Sequence, residues 1–581
     1  MTSPNARAIG WRALAACALI TVLVEAISRL SLAGLRDFDR LSDPDSYMRL
    51  VRLRDIVAAH RPLGVVANDA SGHGTILHWS HLLDSFILLL AEPFGWFLPI
   101  DTAQHIAGLL FGVLSVGALG AACAWAIVPC VKPDWRWLAP VVAIMAPSVW
   151  AYGLIGVVHH HIPVVLVAVM CWGWAARLIA GSYGGIALGA WAAAGLWLTP
   201  ESLLLSVLAF GAVLVAWMAD GGPRLPAAIR AAGVTMLVLT SAAWFVDPPS
   251  AGHRAMEVDR ISIVFVGVAA VFAALGIAIV AIERHARAWP ARLAWTVFAG
   301  VVLTGVWLFC FPVVLNGADT LMAERERHAF FDRIEEMQPV RTWADGLQYL
   351  YTAVLAFLFM LWRLVRERSA INHYAATCLA ALIALGAMHT RFSPYAAVAA
   401  ALLVPKAMDA VRHSWIITRA AIVILVLVPP LVGAIKTTSA HGRIAAGDPS
   451  CDIGALTKIL APFGNAVVLA NVNDSPALLY RTHLKTVGSL YHRNPAAFMR
   501  LWQAWRSRPG TDWTDTTPPP EVLATEATLL IFCPTHTRSI FVRDLPDDTL
   551  ADWLSWGQIP RWLHEIARDA ASGNIVYRIE R

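Results

Sequence analysis

Apolar runs of about 17–25 residues recur along most of the chain, each closed by a short polar stretch, and the pattern stops after Lys436. About thirteen such runs can be counted. They start near Ile9, Ala103, Leu138, Ile162, Gly184, Glu201, Ala228, Ile261, Leu293, Leu347, Ile371, Pro394 and Ile417. Each is long enough to cross a bilayer as a helix. Leu82–Leu98 is apolar but short and broken by Glu92-Pro93, which predicts a helix along the interface. Beyond Lys436 the period changes. Asn465–Val472 and Ala527–Phe532 read as buried strands, and Pro495–Arg506 and Glu521–Ala527 as helices. The expected architecture is an α-helical polytopic membrane unit over 1–436 followed by a small soluble α/β unit over 437–581.

Composition sharpens the class. Of 581 residues, 58% are hydrophobic and only 15% charged. Mean hydropathy is +0.59. Soluble domains carry about 25% charged residues. The net charge of +5 is modest and the signs alternate, which gives no footprint for nucleic acid. The first apolar run lacks an obvious cleavage site and reads as a retained anchor.

Charge orients the spans. With a cytoplasmic N-terminus and an interfacial Leu82–Leu98, arginines 177, 224, 230, 284, 287, 292, 363, 366, 368, 412 and 419 all fall inside. Both the first external loop (about 33–81) and a later one (about 316–345) then lie outside, with the tail. The six arginines of the first loop strain the rule. A bacterial-type inner membrane with a periplasmic or extracellular tail is expected. Six of the eight cysteines lie in or beside spans and serve as small apolar fillers. Cys451 and Cys533 are the pair left in the tail, and an oxidising compartment favours a disulfide between them over two free thiols.

The polar residues beside the spans carry the candidate chemistry. Asp45, Arg49 and Arg52 share one face if 43–54 is helical, either as paired surface charges or as a carboxylate for an ion or acceptor. In an extended segment His159 and His161 point the same way and could hold one ion; otherwise they are interfacial. Glu335-Glu336 ends a charged run that reads as a solvated helix. Arg391 at the outer end of a span either snorkels to headgroups or holds a phosphate.

Taken in order, Asp45-Ser46-Tyr47-Met48-Arg49, His159-His160-His161, Arg333-Ile334-Glu335-Glu336 and Arg391-Phe392-Ser393-Pro394-Tyr395 resemble the motifs of the catalytic subunit of oligosaccharyltransferase, within the GT-C superfamily of membrane glycosyltransferases. The resemblance implies about thirteen spans, Asp45 and Glu336 as catalytic groups, and Asp45, His159, His161 and Glu336 around a divalent cation. Oxygen ligands suit Mg²⁺ or Mn²⁺, and imidazole favours Mn²⁺. It also implies donor binding by Arg391 and Tyr395, with Tyr47 and Arg49 beside them, and inversion at the sugar. His159 stands where the family has Asp, and Arg333 where it has Thr or Ser. The tail lacks the family's Trp-Trp-Asp, with Asn471-Val472-Asn473-Asp474-Ser475 at the comparable place.

Three functions compete. The first is transfer from a polyprenyl-linked sugar donor to a lipid, glycan or protein hydroxyl acceptor. The second is oligosaccharyl transfer to protein Asn. The third is non-enzymatic envelope-polysaccharide transport or assembly, which the break at Thr199-Pro200-Glu201 favours and the external placement of the acids disfavours.

Overall fold

The computed structural model describes residues 9–33, 39–317, 322–331, 334–411, 415–440, 453–510, 515–534 and 548–581. All thirteen expected runs are helical. Among the described residues nine helices are long and apolar enough to cross a membrane, from Ile100–Ala126 to Ile416–Thr437. The chain is therefore a multi-pass membrane protein. The run starting near Leu138 departs from expectation. It breaks into Leu138–Met145 and Pro147–Trp150, because Pro147 cannot donate into the preceding turn. Leu82–Leu98 becomes the helix His81–Gly95, with Pro93 inside it, and is not among the nine.

Close backbone approach sets the packing of the middle helices. A Cβ on Gly189 would sit 2.1 Å from the Ala232 carbonyl oxygen, so Gly185–Leu198 and Arg224–Val246 touch where only glycine fits. Trp289–Cys310 lies at the opposite extreme. Only Arg292 and Thr296 are buried on it, and Trp295, Phe298 and Phe309 face outward, as a lipid-facing helix requires.

Two short strands of the first loop, β1 (Val65–Val66) and β2 (Thr75–Ile76), pair antiparallel. The tail holds a mixed five-stranded sheet of β3 (Val467–Leu469), β4 (Lys485–Thr486), β5 (Leu529–Phe532), β6 (Leu563–Arg568) and β7 (Ile575–Ile579). Its order is β4-β3-β5-β7-β6, with β3 parallel to β4 and β5 and the last two pairs antiparallel. The expected strands are present but shorter. The helix Pro495–Arg506 forms over its expected range, started by the Asn494 cap and Pro495. The helix expected over Glu521–Ala527 is one turn, Pro520–Leu523, and the chain then reverses through Glu526 at φ 60°. The hairpin β6–β7 is not foreshadowed by the patterning, since β6 alternates weakly and carries His564, Glu565 and Arg568 on its exposed face.

The soluble core reaches back to the membrane unit. The helix Glu324–Phe331 inserts Phe330 against Phe498, with ring centroids 5.3 Å apart and nearly perpendicular. That contact holds the helix Glu324–Phe331 against the C-terminal unit. Cys533 is disulfide-bonded, and the six membrane-half cysteines are free. Cys451, its expected partner, lies outside the described residues.

Candidate active site

The first loop folds into the helix Pro44–Ala59, started by Asp43 and Pro44. Asp43 accepts the Ser46 amide at 2.8 Å and the Ser46 hydroxyl at 2.7 Å. Ser46 Oγ in turn accepts the Val158 amide at 2.8 Å, and Arg49 Nε donates to the Val158 carbonyl at 3.0 Å. These bonds lay the helix against the segment entering the His triplet. His160 has near-helical backbone angles and His161 opens the helix His161–Ile179. The triplet is therefore a bend into a helix and not an extended strand, yet its rings stay close, His159 to His161 at 5.3 Å and His160 stacked on His161 at 4.5 Å.

His159 Nε2 lies 2.5 Å from Asp43 Oδ1. Burial disfavours its charged form, but Asp43 outweighs that, with Asp45 and Glu336 adding. The imidazole pKa is pushed up to about 9. Its Nδ1 is buried with no hydrogen-bond partner among the described residues. Asp45 accepts the Tyr491 hydroxyl at 2.8 Å. Its carboxyl is raised, first by burial and then by neighbouring Asp43 and Glu336, against the opposing pull of His159 and Tyr491. Asp43 goes the other way: burial raises it, yet His159 and Ser46 hold it below the usual value.

Glu336 lies in a short turn fastened to the segment before Ser393–Ala410. Thr390 donates its hydroxyl to the Glu336 carbonyl at 3.2 Å and its amide to the Gln338 carbonyl at 3.1 Å. The Glu336 carboxylate accepts the Tyr152 hydroxyl at 2.7 Å and pairs with Arg391. Burial would raise its pKa, but Arg391, Tyr152 and His159 together lower it. His161 Nε2 stands 3.9 Å away, its ring stacked on Tyr152. Arg391 also donates from Nε to Glu201 at 3.0 Å, with Nη2 3.4 Å from His160. Glu201, from the Thr199-Pro200-Glu201 break, is thus part of this constellation.

Asp45, Arg49, His160, His161, Glu201, Glu336 and Arg391 line one cavity of about 510 Å³, with Asp43, Tyr152 and His159 outside its lining. Two of the residues expected to bind substrate stand behind its wall. Tyr47 is buried and its hydroxyl accepts the Leu41 amide. Tyr395 is buried and donates to Glu201 at 2.7 Å. Arg49 lines the cavity but is ion-paired to Asp84 at 2.9 Å.

The sequence reading passed over Asp43, Tyr152, Glu201 and Tyr491. Asp43 carried a signal, its place before Pro44 at a helix start. Glu201 showed only as part of the Thr199-Pro200-Glu201 break, and Tyr152 and Tyr491 had no signal, because only their tertiary partners distinguish them.

An ion fits at Asp45 on the chemistry of the donors. Three carboxylates and neighbouring imidazoles crowd one buried place, and in the structure His159 offsets that negative charge. Hard oxygen ligands with imidazole suit Mn²⁺ or Mg²⁺. Of the expected ligands, Glu336 is engaged by Arg391 and Tyr152. Among the described residues, the three-residue group whose ligand atoms lie within 4.8 Å of one another is His78, Asp259 and His492, elsewhere in the same cavity.

No protein-family profile and no curated protein matches the sequence. Solved structures do match the fold. The archaeal oligosaccharyltransferase AglB from Archaeoglobus fulgidus, bound to an inhibitory peptide and a dolichol-phosphate, superposes with TM-score 0.66 at 11% identity, over 90% of this chain and 70% of that one. The Archaeoglobus fulgidus oligosaccharyltransferase in complex with Zn and sulfate gives 0.64 at 12% identity, over 98% and 73%. The form tethered to an acceptor peptide with an NVT sequon gives 0.63 at 10%, over 98% and 74%. The chain therefore resembles these oligosaccharyltransferases in fold.

Proposed function

We propose that this chain is a membrane glycosyltransferase. It transfers a sugar or oligosaccharide from a polyprenyl-phosphate or polyprenyl-diphosphate carrier to an acceptor on the outer face of the inner membrane. The observation that supports this most is the meeting of four distant segments, at Asp43–Arg49, His159–His161, Glu336 and Arg391, in one cavity of a GT-C fold. The membrane unit 1–436 and the soluble unit 437–581 enclose it, with the N-terminus cytoplasmic and the tail outside.

The chain's own residues account for the chemistry. Arg391 presents a planar guanidinium held from two sides by Glu201 and Glu336, so its remaining donor edge is pre-oriented to grip the carrier phosphate. Tyr395 fixes Glu201 and so fixes Arg391. As the glycosidic bond breaks, negative charge grows on the leaving phosphate, and Arg391 stabilises it where the charge appears. Asp45, with its raised carboxyl and the Tyr491 hydroxyl beside it, is placed to hold the acceptor nucleophile and accept its proton. Glu336 orients Arg391 and faces the same nucleophile. A divalent cation, Mn²⁺ or Mg²⁺, held by Asp45, His159, His161 and Glu336 with Asp43 behind His159, would supply further charge stabilisation to the departing phosphate. Displacement with inversion fits a single nucleophile held opposite the leaving group.

A hydroxyl-bearing lipid, glycan or protein acceptor is favoured over a protein Asn sequon. The segment where a sequon reader would stand is turned inward. Asn471 is buried and accepts the Asn473 amide at 3.0 Å, and Ser475 is buried against the Asn471 carbonyl. None of Asn471–Ser475 lines the cavity. Transport loses its one supporting feature, because the Thr199-Pro200-Glu201 break serves the Arg391 clamp.

The test is the profile of glycans and lipid-linked sugars in cells with the protein, without it, and carrying Asp45→Asn. A glycan lost in both the deletion and the variant, with its lipid-linked donor accumulating, is the expected result. Identical profiles in all three strains would overturn the proposal.

A further inference from the structure

The cavity carries a second cluster that glycosyl transfer at Asp45 and Arg391 leaves unused. His78 belongs to the first loop, just after β2. Asp259 lies in the loop between the helices Arg224–Val246 and Ile263–His285. His492 lies in the tail, between β4 and the helix Pro495–Arg506. One ligand atom from each falls within 4.8 Å of the other two. The His78 and His492 rings are 4.5 Å apart and tilted, and His492 Nε2 is 2.7 Å from Asp259 Oδ2. His78 Nδ1 is buried with no hydrogen-bond partner among the described residues. A buried imidazole nitrogen without a partner costs free energy unless something else occupies it.

The surroundings suit a cation. Asp259 and Glu257 share Arg493, whose Nε donates to Asp259 Oδ2 at 2.7 Å and whose Nη2 reaches Glu257 at 2.6 Å. The two carboxylates share this guanidinium, and Arg260 also acts on Glu257. Arg493 also fixes the Asp259 carboxylate in place, as outer-shell partners of metal ligands do. Asp259 Oδ2 takes both His492 Nε2 and Arg493 Nε, so the capacity left on that carboxylate is at Oδ1. Trp79 and Tyr491, the neighbours of His78 and His492, pack edge to face 5.4 Å apart, which fixes the backbone that presents both imidazoles.

We propose that His78, Asp259 and His492 form a second divalent-cation site, of the zinc type, that fastens the soluble tail to two external loops beside the cavity. Two imidazoles and one carboxylate are borderline-soft donors that match Zn²⁺ better than Mg²⁺ or Ca²⁺. Three protein ligands leave the fourth tetrahedral position to water or to an anionic group in the cavity. The site shares no residue with the Asp45 cluster. Each ligand comes from a different external segment, so an ion there cross-links the fold much as a disulfide would.

The full chain, purified in detergent and stripped with a chelator, is titrated with Zn²⁺ alone. Retained metal is measured after desalting, alongside the thermal unfolding midpoint. The expected result is a tightly held equivalent and a Zn²⁺-dependent rise in Tm. His78→Gln and His492→Gln each weaken that equivalent at least ~10-fold and abolish the rise, as loss of one first ligand should. His78→Gln removes no hydrogen bond at Nδ1, so its metal-free Tm should match the parent and certify its folding. Asp45→Asn keeps the equivalent, which separates this site from the one proposed for transfer. Zn²⁺ retained undiminished in both His variants, lost in Asp45→Asn, or not bound by the parent chain would each overturn the proposal. The glycosyltransferase reading stands or falls separately.

Discussion

The helix Pro44–Ala59 carries two charge clusters of opposite character. Deep on it, Arg49 and Arg52 converge on Asp84, at 2.9 Å and 2.5 Å, and His81 adds a third partner at 3.0 Å. Arg52 also donates to the Trp79 and Ser80 carbonyls, and Arg49 lies over the Trp79 ring at 4.3 Å. Asp84, Arg49 and Arg52 are buried, with two guanidinium groups sharing one carboxylate and passing further donors to backbone carbonyls. At the start of the same helix, Asp43, Asp45 and the facing Glu336 outnumber His159, and part of the cluster opens to the cavity. The difference separates two uses of charge. A saturated buried cluster fixes the loop helix against His81–Gly95, and breaking it leaves an unpaired charge in a low dielectric. The undersatisfied cluster contributes little to stability and keeps capacity for a ligand.

Truncating the saturated cluster should have the largest effect. Asp84→Ala leaves two buried guanidinium groups unmatched and should cost about 3–5 kcal/mol of stability, read as lower Tm or poor yield in detergent. The same carboxylate makes an acid prediction. Burial alone would raise its pKa, but Arg52, His81 and Arg49 hold it well below the usual carboxylate range. Its contribution is therefore full above the unfolded value near ~3.9 and is lost as pH falls toward the depressed folded value. Asp84→Asn should flatten the acid limb of the Tm-versus-pH curve, and an unchanged limb would show that the triad is not the acid-sensitive element.

Next comes the open cluster, where activity should fall and stability should not. Asp45→Asn should lower transfer at least ~10²-fold, roughly 3 kcal/mol of transition-state stabilisation, with Tm nearly unmoved. Asp43→Asn keeps a good helix cap and removes the charge facing His159, so a loss of ~10-fold or more with little change in Tm is expected. If either substitution unfolds the chain instead, the contrast between the clusters fails. Arg391→Lys replaces a two-sided fork with a point charge and should raise the donor KM by about 10-fold while kcat changes less. The smallest effect belongs to Tyr395→Phe. Removing one hydrogen bond to Glu201 should cost a few-fold in donor kcat/KM, on the order of 1 kcal/mol. A loss as large as that of Arg391→Lys would instead mean that Tyr395 touches the substrate itself.

Much of this was legible in residue order. Long apolar runs are local signals, so the helices appeared where the patterning put them, down to Pro495–Arg506. The residues Asp45, His159–His161, Glu336 and Arg391 stood out because acids, imidazoles and an arginine are conspicuous beside apolar spans. Their partners were not conspicuous. Glu201 read as part of a helix break, and Asp43, Tyr152 and Tyr491 were not singled out. Each acquired meaning through a contact across the chain, such as the 2.5 Å approach of Asp43 to His159. The hairpin β6–β7 escaped for another reason. An edge strand with charged exposed positions has weak alternation, and its pairing with β7 is what stabilises it.

The sequence by itself determined the membrane class, the approximate spans, the change of character after Lys436 and the residue types available for chemistry. These follow from local composition and period, because burial of apolar side chains in lipid is decided segment by segment. The tertiary structure decided which charges neutralise one another and which remain available. It matched Arg49 to Asp84, turned Tyr47 and Tyr395 into wall, brought Glu201 to Arg391, and gathered His78, Asp259 and His492 from three distant segments. Electrostatic pairing acts over a few ångströms between residues hundreds of positions apart, and no local pattern encodes that distance.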